Sequence, residues 1–182
     1  MRILLLSFLA TVCAIEPVYA QPENPGPRQA GWTNVNIQRS GRTLNCRVYY
    51  PATVEGAEAQ IDTAHGPYPT VAFGHGFFMQ TGYYLSHFRH LATHGFVVIA
   101  PQFPDTQHGE LADDLLYCVE YLRQQHSSGG SRFRGLIDTA SIGLSGHSMG
   151  GGASLLAAAR DPRVKVVAPL AAAETTPSAI AV

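Results

Sequence analysis

The chain has 182 residues, of which 46% are hydrophobic, with 12 basic and 13 acidic side chains and a net charge of −1. A balance this close to neutral excludes the basic footprint that nucleic acids require and any acidic interaction tail, so electrostatics name no partner. The length suffices for one domain with a sizeable core and not for two.

Met1 to Ala20 carries Arg2, an apolar run from Ile3 to Ile15, and Val18-Tyr19-Ala20 ahead of Gln21. A basic start, a greasy middle and small residues at the cut site form the layout of a cleaved secretory signal, too short and too poorly flanked to be a membrane anchor. The expectation is a secreted or periplasmic protein without an anchor. A buried N-terminal helix, or a lipoprotein site at Cys13 behind Ala10-Thr11-Val12, fits these residues less well. A leader over residues 21–31 follows, Pro-rich to Arg28, and the folded domain is expected over 32–182. Export would permit a Cys46–Cys118 disulfide, but Cys46 falls in an apparent strand and Cys118 on a helix, so two separately buried thiols are expected. No Cys/His spacing resembles a zinc site.

Asn34 to Gln38 and Leu44 to Tyr50 alternate around Ser40-Gly41, which predicts a β-hairpin. Residues 52–68 lack periodicity and read as a loop. Thr70-Val71-Ala72-Phe73 reads as a buried strand stopping at the tight turn Gly74-His75-Gly76. Over 83–94, Tyr84, Phe88 and Leu91 recur at helical spacing, with Gly95 as the stop. Phe96 to Ala100 is a further strand, ended by Pro101. Glu110 to Gln125 sets Leu111, Leu115, Val119 and Leu122 on one helical face, with Asp113 and Asp114 expected opposite. After a polar, Gly-rich connection, Ile142-Gly143-Leu144 leads to Gly146-His147-Ser148-Met149-Gly150. A helix over 153–160 and an apolar run over 164–170 complete the pattern. Strands alternating with helices at this pitch predict an α/β fold with a mostly parallel sheet covered on both faces.

Gly-x-Ser-x-Gly between a strand and a helix places a serine on a cramped corner, where side chains at the two glycines would collide with adjoining backbone. Ser148 is the expected nucleophile. Attack on an ester carbonyl builds negative charge on its oxygen, and fixed backbone N–H groups must already point there. Met149, directly after the serine and at the helix N-terminus, supplies one amide. Phe77, in the loop after Gly74-His75-Gly76, is assigned the other. No cofactor or metal is expected.

Gly74-His75-Gly76-Phe77, Gly146 to Gly152, and Ala158 to Lys165 leading to Pro169-Leu170 resemble the α/β-hydrolase superfamily. Within it they are similar to the branch of bacterial cutinases, polyester hydrolases, chlorophyllase-like and dienelactone-hydrolase-like enzymes. The resemblance covers roughly residues 32–182 and implies a three-layer α/β sandwich. It also implies that His147 lines the substrate cleft, and that the triad acid and histidine come after the serine in chain order.

The acids after Ser148 are Asp161, in a turn closing the nucleophile helix, and Glu174; no histidine follows. The expectation is therefore a C-terminally truncated chain lacking the last strands and helices, nearly inactive because triad members act as a unit. His147 is expected to be thrown away from the serine hydroxyl and His75 to shape the oxyanion loop. His87, His90 and His94 share a helical face at a spacing that could bind a metal, yet without a supporting acid they read as solvated surface. His65, His108 and His126 fall in loops.

The reading is a secreted serine hydrolase of carboxylic esters, whether polymeric, lipid-like or small. Phe77, Phe78 and Tyr83 hint at an apolar or aromatic substrate group. The alternative is a non-catalytic hydrolase-fold binding protein. A lactone-opening or peptide-cleaving enzyme also fits the motif.

Overall fold

The computed structural model describes residues 22–104 and 106–179. The expected signal over 1–20 lies outside them. Strand β1 (Gln29–Arg39) and strand β2 (Arg42–Ala52) form the hairpin, and β3 (Gly56–Ala57) adds two residues beside β1. Then follow β4 (Tyr68–Gly74), a 3-10 turn (Thr81–Tyr84), α1 (Leu85–Thr93), β5 (Val97–Gln102) and α2 (His108–Ser127). The chain continues through β6 (Ile137–His147), α3 (Met149–Arg160) and β7 (Val164–Leu170). One sheet runs in the order β3-β1-β2-β5-β4-β6-β7. β5, β4, β6 and β7 are mutually parallel, while β2 joins antiparallel to both β1 and β5.

Alternation along the strands builds a core on each face. On one face Tyr49, Phe73, Val98 and Ala100 meet Phe88 and Ala92 of α1. On the other, Val48, Tyr50, Ala72, Val97 and Ile99 meet Leu111, Leu115 and Leu122 of α2 and Leu156 of α3. The sandwich therefore has three layers, as expected. β7 lies at the sheet edge, with Val166 and Leu170 exposed.

Several local expectations are corrected. The hairpin is longer than its alternating segments: pairing starts at Gln29↔Ala52, inside the stretch read as leader, and closes at Arg39↔Arg42. Ser40 (φ 49°) and Gly41 (φ 78°) form the two-residue turn, whose positive φ values match the right-handed twist of the strands. Within 52–68, read as loop, β3 pairs with Gly31–Trp32 and Ala52 bridges Ile61. Pro101 does not end β5, which continues to Gln102. β4 pairs with β5 no further than Ile99, and a missing N–H is tolerated where a strand has lost one neighbour.

Asp114 is not on the outer face of α2 but fully buried. Three residues beyond Leu111 and four before Cys118, it shares the inner stripe. Its carboxylate meets Arg39 Nη1 and Arg42 Nη2 at 2.8 Å each, so the hairpin end supplies the cations that a buried carboxylate needs. Cys46 and Cys118 are buried free thiols, but they are not separate: their sulfurs lie 3.8 Å apart.

α1 also anchors the leader. His90 Nε2 donates to the Pro22 carbonyl at 2.7 Å and His94 Nε2 to the Asn24 carbonyl at 2.9 Å. Gly26 N–H donates to Thr93 Oγ1 at 2.8 Å. These two half-buried histidines thus hold the leader against α1. Among the described residues no group of three His, Cys, Asp or Glu side chains could hold a metal ion. No helix there is long and apolar enough to cross a membrane.

Candidate active site

The candidate site lies where the parallel strands end. β6 runs without a break into Ser148, and α3 begins at the next residue. Ser148 takes φ 51° and ψ −115°, a conformation an L-residue adopts at a cost of about 1–3 kcal/mol. The surroundings enforce it. Ser148 N–H donates to the Leu170 carbonyl at 2.9 Å, and the Ser148 carbonyl accepts from Ala173 N–H at 2.9 Å and Gly152 N–H at 3.0 Å. Among the described residues no hydrogen bond reaches the Ser148 hydroxyl.

The flanking glycines are required by contact. A Cβ on Gly146 would overlap the Gly150 carbonyl, and one on Gly150 would fall on the Gly74 carbonyl and 2.6 Å from the His75 oxygen. A Cβ on Gly152 would overlap the Ala173 oxygen. The start of α3 is thus in direct backbone contact with the end of β4, and the two loops assigned the oxyanion amides share one corner. Met149 is the first residue of α3, where an N–H has no partner within the helix. Phe77 follows Gly76. Among the described residues neither amide donates to a backbone carbonyl outside the helices and strands.

His75 is buried beneath this loop. Its Nε2 accepts from Phe103 N–H at 2.9 Å and from the Gln102 amide at 2.9 Å, while Nδ1 donates to the Gly76 carbonyl at 2.8 Å. A backbone amide can only donate, so Nε2 must be bare and the ring neutral. Burial pushes its pKa down, against a smaller upward pull from the Gly76 carbonyl.

His147 is half-buried, with Nδ1 2.9 Å from the Tyr84 hydroxyl. That same hydroxyl accepts from Gly76 N–H at 3.2 Å. Tyr84, noted in the sequence only as an apolar helix position, thus ties the Gly76 loop to the residue before the serine; its spacing alone carries no signal of this. Gln102 is a second residue the motifs do not reveal: its Oε1 accepts from Thr81 N–H at 3.1 Å while its amide reaches His75.

Each remaining histidine is engaged elsewhere. His65 meets Asp62 at 2.7 Å, His108 accepts from Thr176 N–H at 3.0 Å, and His126 from Ile137 N–H at 3.3 Å. His87 packs on the Phe73 ring, and burial, then His90, pushes its pKa down. Asp161 binds Arg163 through backbone and side chain in the turn closing α3.

Around the corner the surface is apolar. Phe77 is 50% and Phe78 91% exposed, their rings 4.0 Å apart, and Tyr83 is exposed as well. Beside them a cavity of about 160 Å³ is lined by residues including His75, Phe78, Phe103 and Met149.

A mostly parallel sheet between helical layers, with a strand paired on both sides that ends in a serine held at positive φ, defines the α/β-hydrolase fold. The chain belongs to the PET hydrolase-like family, whose model matches residues 26–182. It is 32% identical over 125 residues to a bis(hydroxyethyl) terephthalate hydrolase of Streptomyces coelicolor, covering 68% of this chain and 36% of that protein. It is 38% identical over 82 residues to cutinase est1 of Thermobifida alba, covering 44% of this chain and 27% of that one. Against chlorophyllase-1 of Arabidopsis thaliana the identity is 42% over 40 residues, covering 22% of this chain and 12% of the plant protein. The chain thus spans little more than a third, or less, of the length of these curated relatives. The expected branch of cutinases, polyester hydrolases and chlorophyllase-like proteins is the one found.

Proposed function

We propose that this chain carries the nucleophile and oxyanion hole of a secreted serine hydrolase of carboxylic esters. Ser148 attacks the ester carbonyl, the Phe77 and Met149 amides hold the resulting oxyanion, the alcohol leaves, and water hydrolyses the acyl-enzyme. The observation that carries the reading is Ser148 itself, at φ 51° on the corner where the ends of β4 and β6 meet, its hydroxyl engaged by no hydrogen bond among the described residues. Backbone hydrogen bonds hold the strain, and a side chain that takes no part in them gives the fold no reason to keep it there, whereas a nucleophile needs it.

None of the eight histidines is assigned as the proton acceptor: His147 faces Tyr84 through Nδ1, His87 packs on Phe73, and the others are hydrogen-bonded elsewhere. The family's chain order implies a base and an acid that follow the serine. The signal-like residues 1–20 support export of a hydrolase domain whose first strand begins at Gln29. Exposed Phe77 and Phe78 beside the cavity favour esters with an apolar or aromatic group. The names of the relatives, bis(hydroxyethyl) terephthalate hydrolase and cutinase, favour aromatic diesters and aliphatic polyesters.

The test uses the protein expressed from its whole reading frame, treated with a fluorophosphonate probe and assayed on p-nitrophenyl butyrate and bis(hydroxyethyl) terephthalate. Labelling and turnover that both vanish in Ser148→Ala are expected. A folded protein that takes no label and turns over neither ester would instead be the non-catalytic binder.

A further inference from the structure

Three groups, two from the loop just before it and one from the end of β6, converge on the Tyr84 hydroxyl. The Gly76 amide donates to it at 3.2 Å, the Met79 sulfur lies 3.0 Å away, and His147 Nδ1 lies 2.9 Å away. A phenol carries one hydrogen. Gly76 N–H occupies a lone pair of the oxygen, so the phenolic hydrogen must go to the Met79 sulfur or to the His147 nitrogen. Two arrangements satisfy these groups: the phenol donates to Met79 while Nδ1–H and Gly76 N–H both donate to its oxygen, or the phenol donates to a bare Nδ1. Thioether sulfur is a weak acceptor and a bare imidazole nitrogen a good one, which favours the second. Nδ1 is then the bare nitrogen, and the ring's own hydrogen sits on Nε2. Among the described residues nothing hydrogen-bonds Nε2.

The ring is also confined by packing. A Cβ on Gly76 would come within 2.8 Å of His147 Nδ1, so the loop backbone is seated directly on the imidazole. Tyr84 itself is wedged by ring contacts to Phe73 at 4.9 Å and Phe88 at 6.3 Å. Its hydroxyl cannot leave without repacking the α1 core.

We propose that Tyr84 is a positioning residue that fixes His147 as its Nε2–H tautomer and fastens the Gly76 loop to the nucleophile corner, so that an N–H donor beside Ser148 faces an acceptor oxygen of the ester. The substrate clause rests on the hydrolase reading above; the tautomer clause does not. Were Nδ1 the protonated nitrogen, Nε2 would offer only a lone pair, and an ester oxygen, itself an acceptor, would be repelled.

The experiment is long-range ¹H–¹⁵N spectroscopy of the chain labelled in its histidines, with the His147 signals identified by their loss in His147→Gln. A bare Nδ1 and a protonated Nε2 are expected in the wild type, and movement toward a mixture of tautomers in Tyr84→Phe. Faster solvent exchange of the Gly76 amide in that variant is the second expected result. A wild-type His147 with its hydrogen on Nδ1 overturns the proposal, and so does a tautomer unmoved in Tyr84→Phe. Phenylalanine keeps the ring contacts; should the variant still fail to fold, the wild-type spectrum alone decides.

In the protein from the whole reading frame, Tyr84→Phe lowers kcat on p-nitrophenyl butyrate about five- to tenfold, the size of one ordinary hydrogen bond, with KM nearly constant. An unchanged kcat would remove the positioning role. It would leave Ser148 as nucleophile untouched, since that reading stands or falls on Ser148→Ala.

Discussion

The backbone of Gly150, at the start of α3, lies directly against the carbonyl of Gly74, at the end of β4. No side chain separates them. This contact brings the serine corner and the oxyanion loop together, although 74 and 150 stand on different elements.

Gly150→Ala should therefore cost about 3 kcal/mol or more, because the methyl group must displace backbone rather than a flexible side chain. Gly82→Ala, where a Cβ meets nothing within 4 Å, is the control and should stay within about 0.5 kcal/mol of wild type. Urea unfolding of both variants measures the difference.

Ser148→Gly should raise stability by about 1 kcal/mol, since glycine takes φ 51° and ψ −115° without a Cβ penalty and the gain exceeds its greater unfolded-state entropy. Ser148→Ala keeps the penalty and should not be stabilised. A higher urea midpoint for glycine than for alanine, with the probe reaction lost in both, is the expected pattern.

The buried, neutral His75 predicts a pH dependence. Its folded pKa is pushed below the ordinary 6.5, so above that value both states are uncharged and the native state carries no penalty. As pH falls below 6.5 the unfolded chain takes up the proton first, and stability declines until the folded pKa is reached. Wild type should lose more unfolding free energy between pH 7.5 and 5.5 than His75→Gln. His87, also depressed by burial, contributes equally to both proteins and cancels in the comparison.

Asp114→Asn should cost about 2–3 kcal/mol, somewhat below the loss for a fully buried pair, because Arg39 and Arg42 keep 13% and 20% side-chain exposure. Glu110→Gln, removing a carboxylate 46% exposed, should cost less. Thermal unfolding of the two variants separates these contributions.

Much of the fold was legible in the sequence because the period of apolar residues reports which way a side chain faces. The hairpin, the buried strands and the three helices were all marked in this way. Boundaries shifted where pairing partners outvoted local composition: Gln29 joined a strand because Ala52 stands opposite, and Pro101 stayed in one because only β2 flanks it there. Asp114 was misplaced because its burial depends on two arginines 72 and 75 residues away. The tie of His90 and His94 to the leader was not visible because their partners are backbone carbonyls, and a carbonyl leaves no mark in sequence.

The sequence by itself determined the serine corner: Gly146, Ser148 and Gly150 between a strand and a helix admit few other conformations, since the strain is local and the glycines announce it. What the tertiary structure alone decided is what surrounds that corner. It seats the Gly150 backbone on Gly74, routes Tyr84 to Gly76 and His147, and buries His75 as a neutral support of the loop. These are contacts between segments that meet only when the sheet is assembled, and hydrogen-bond directions between distant groups have no period for a sequence to display.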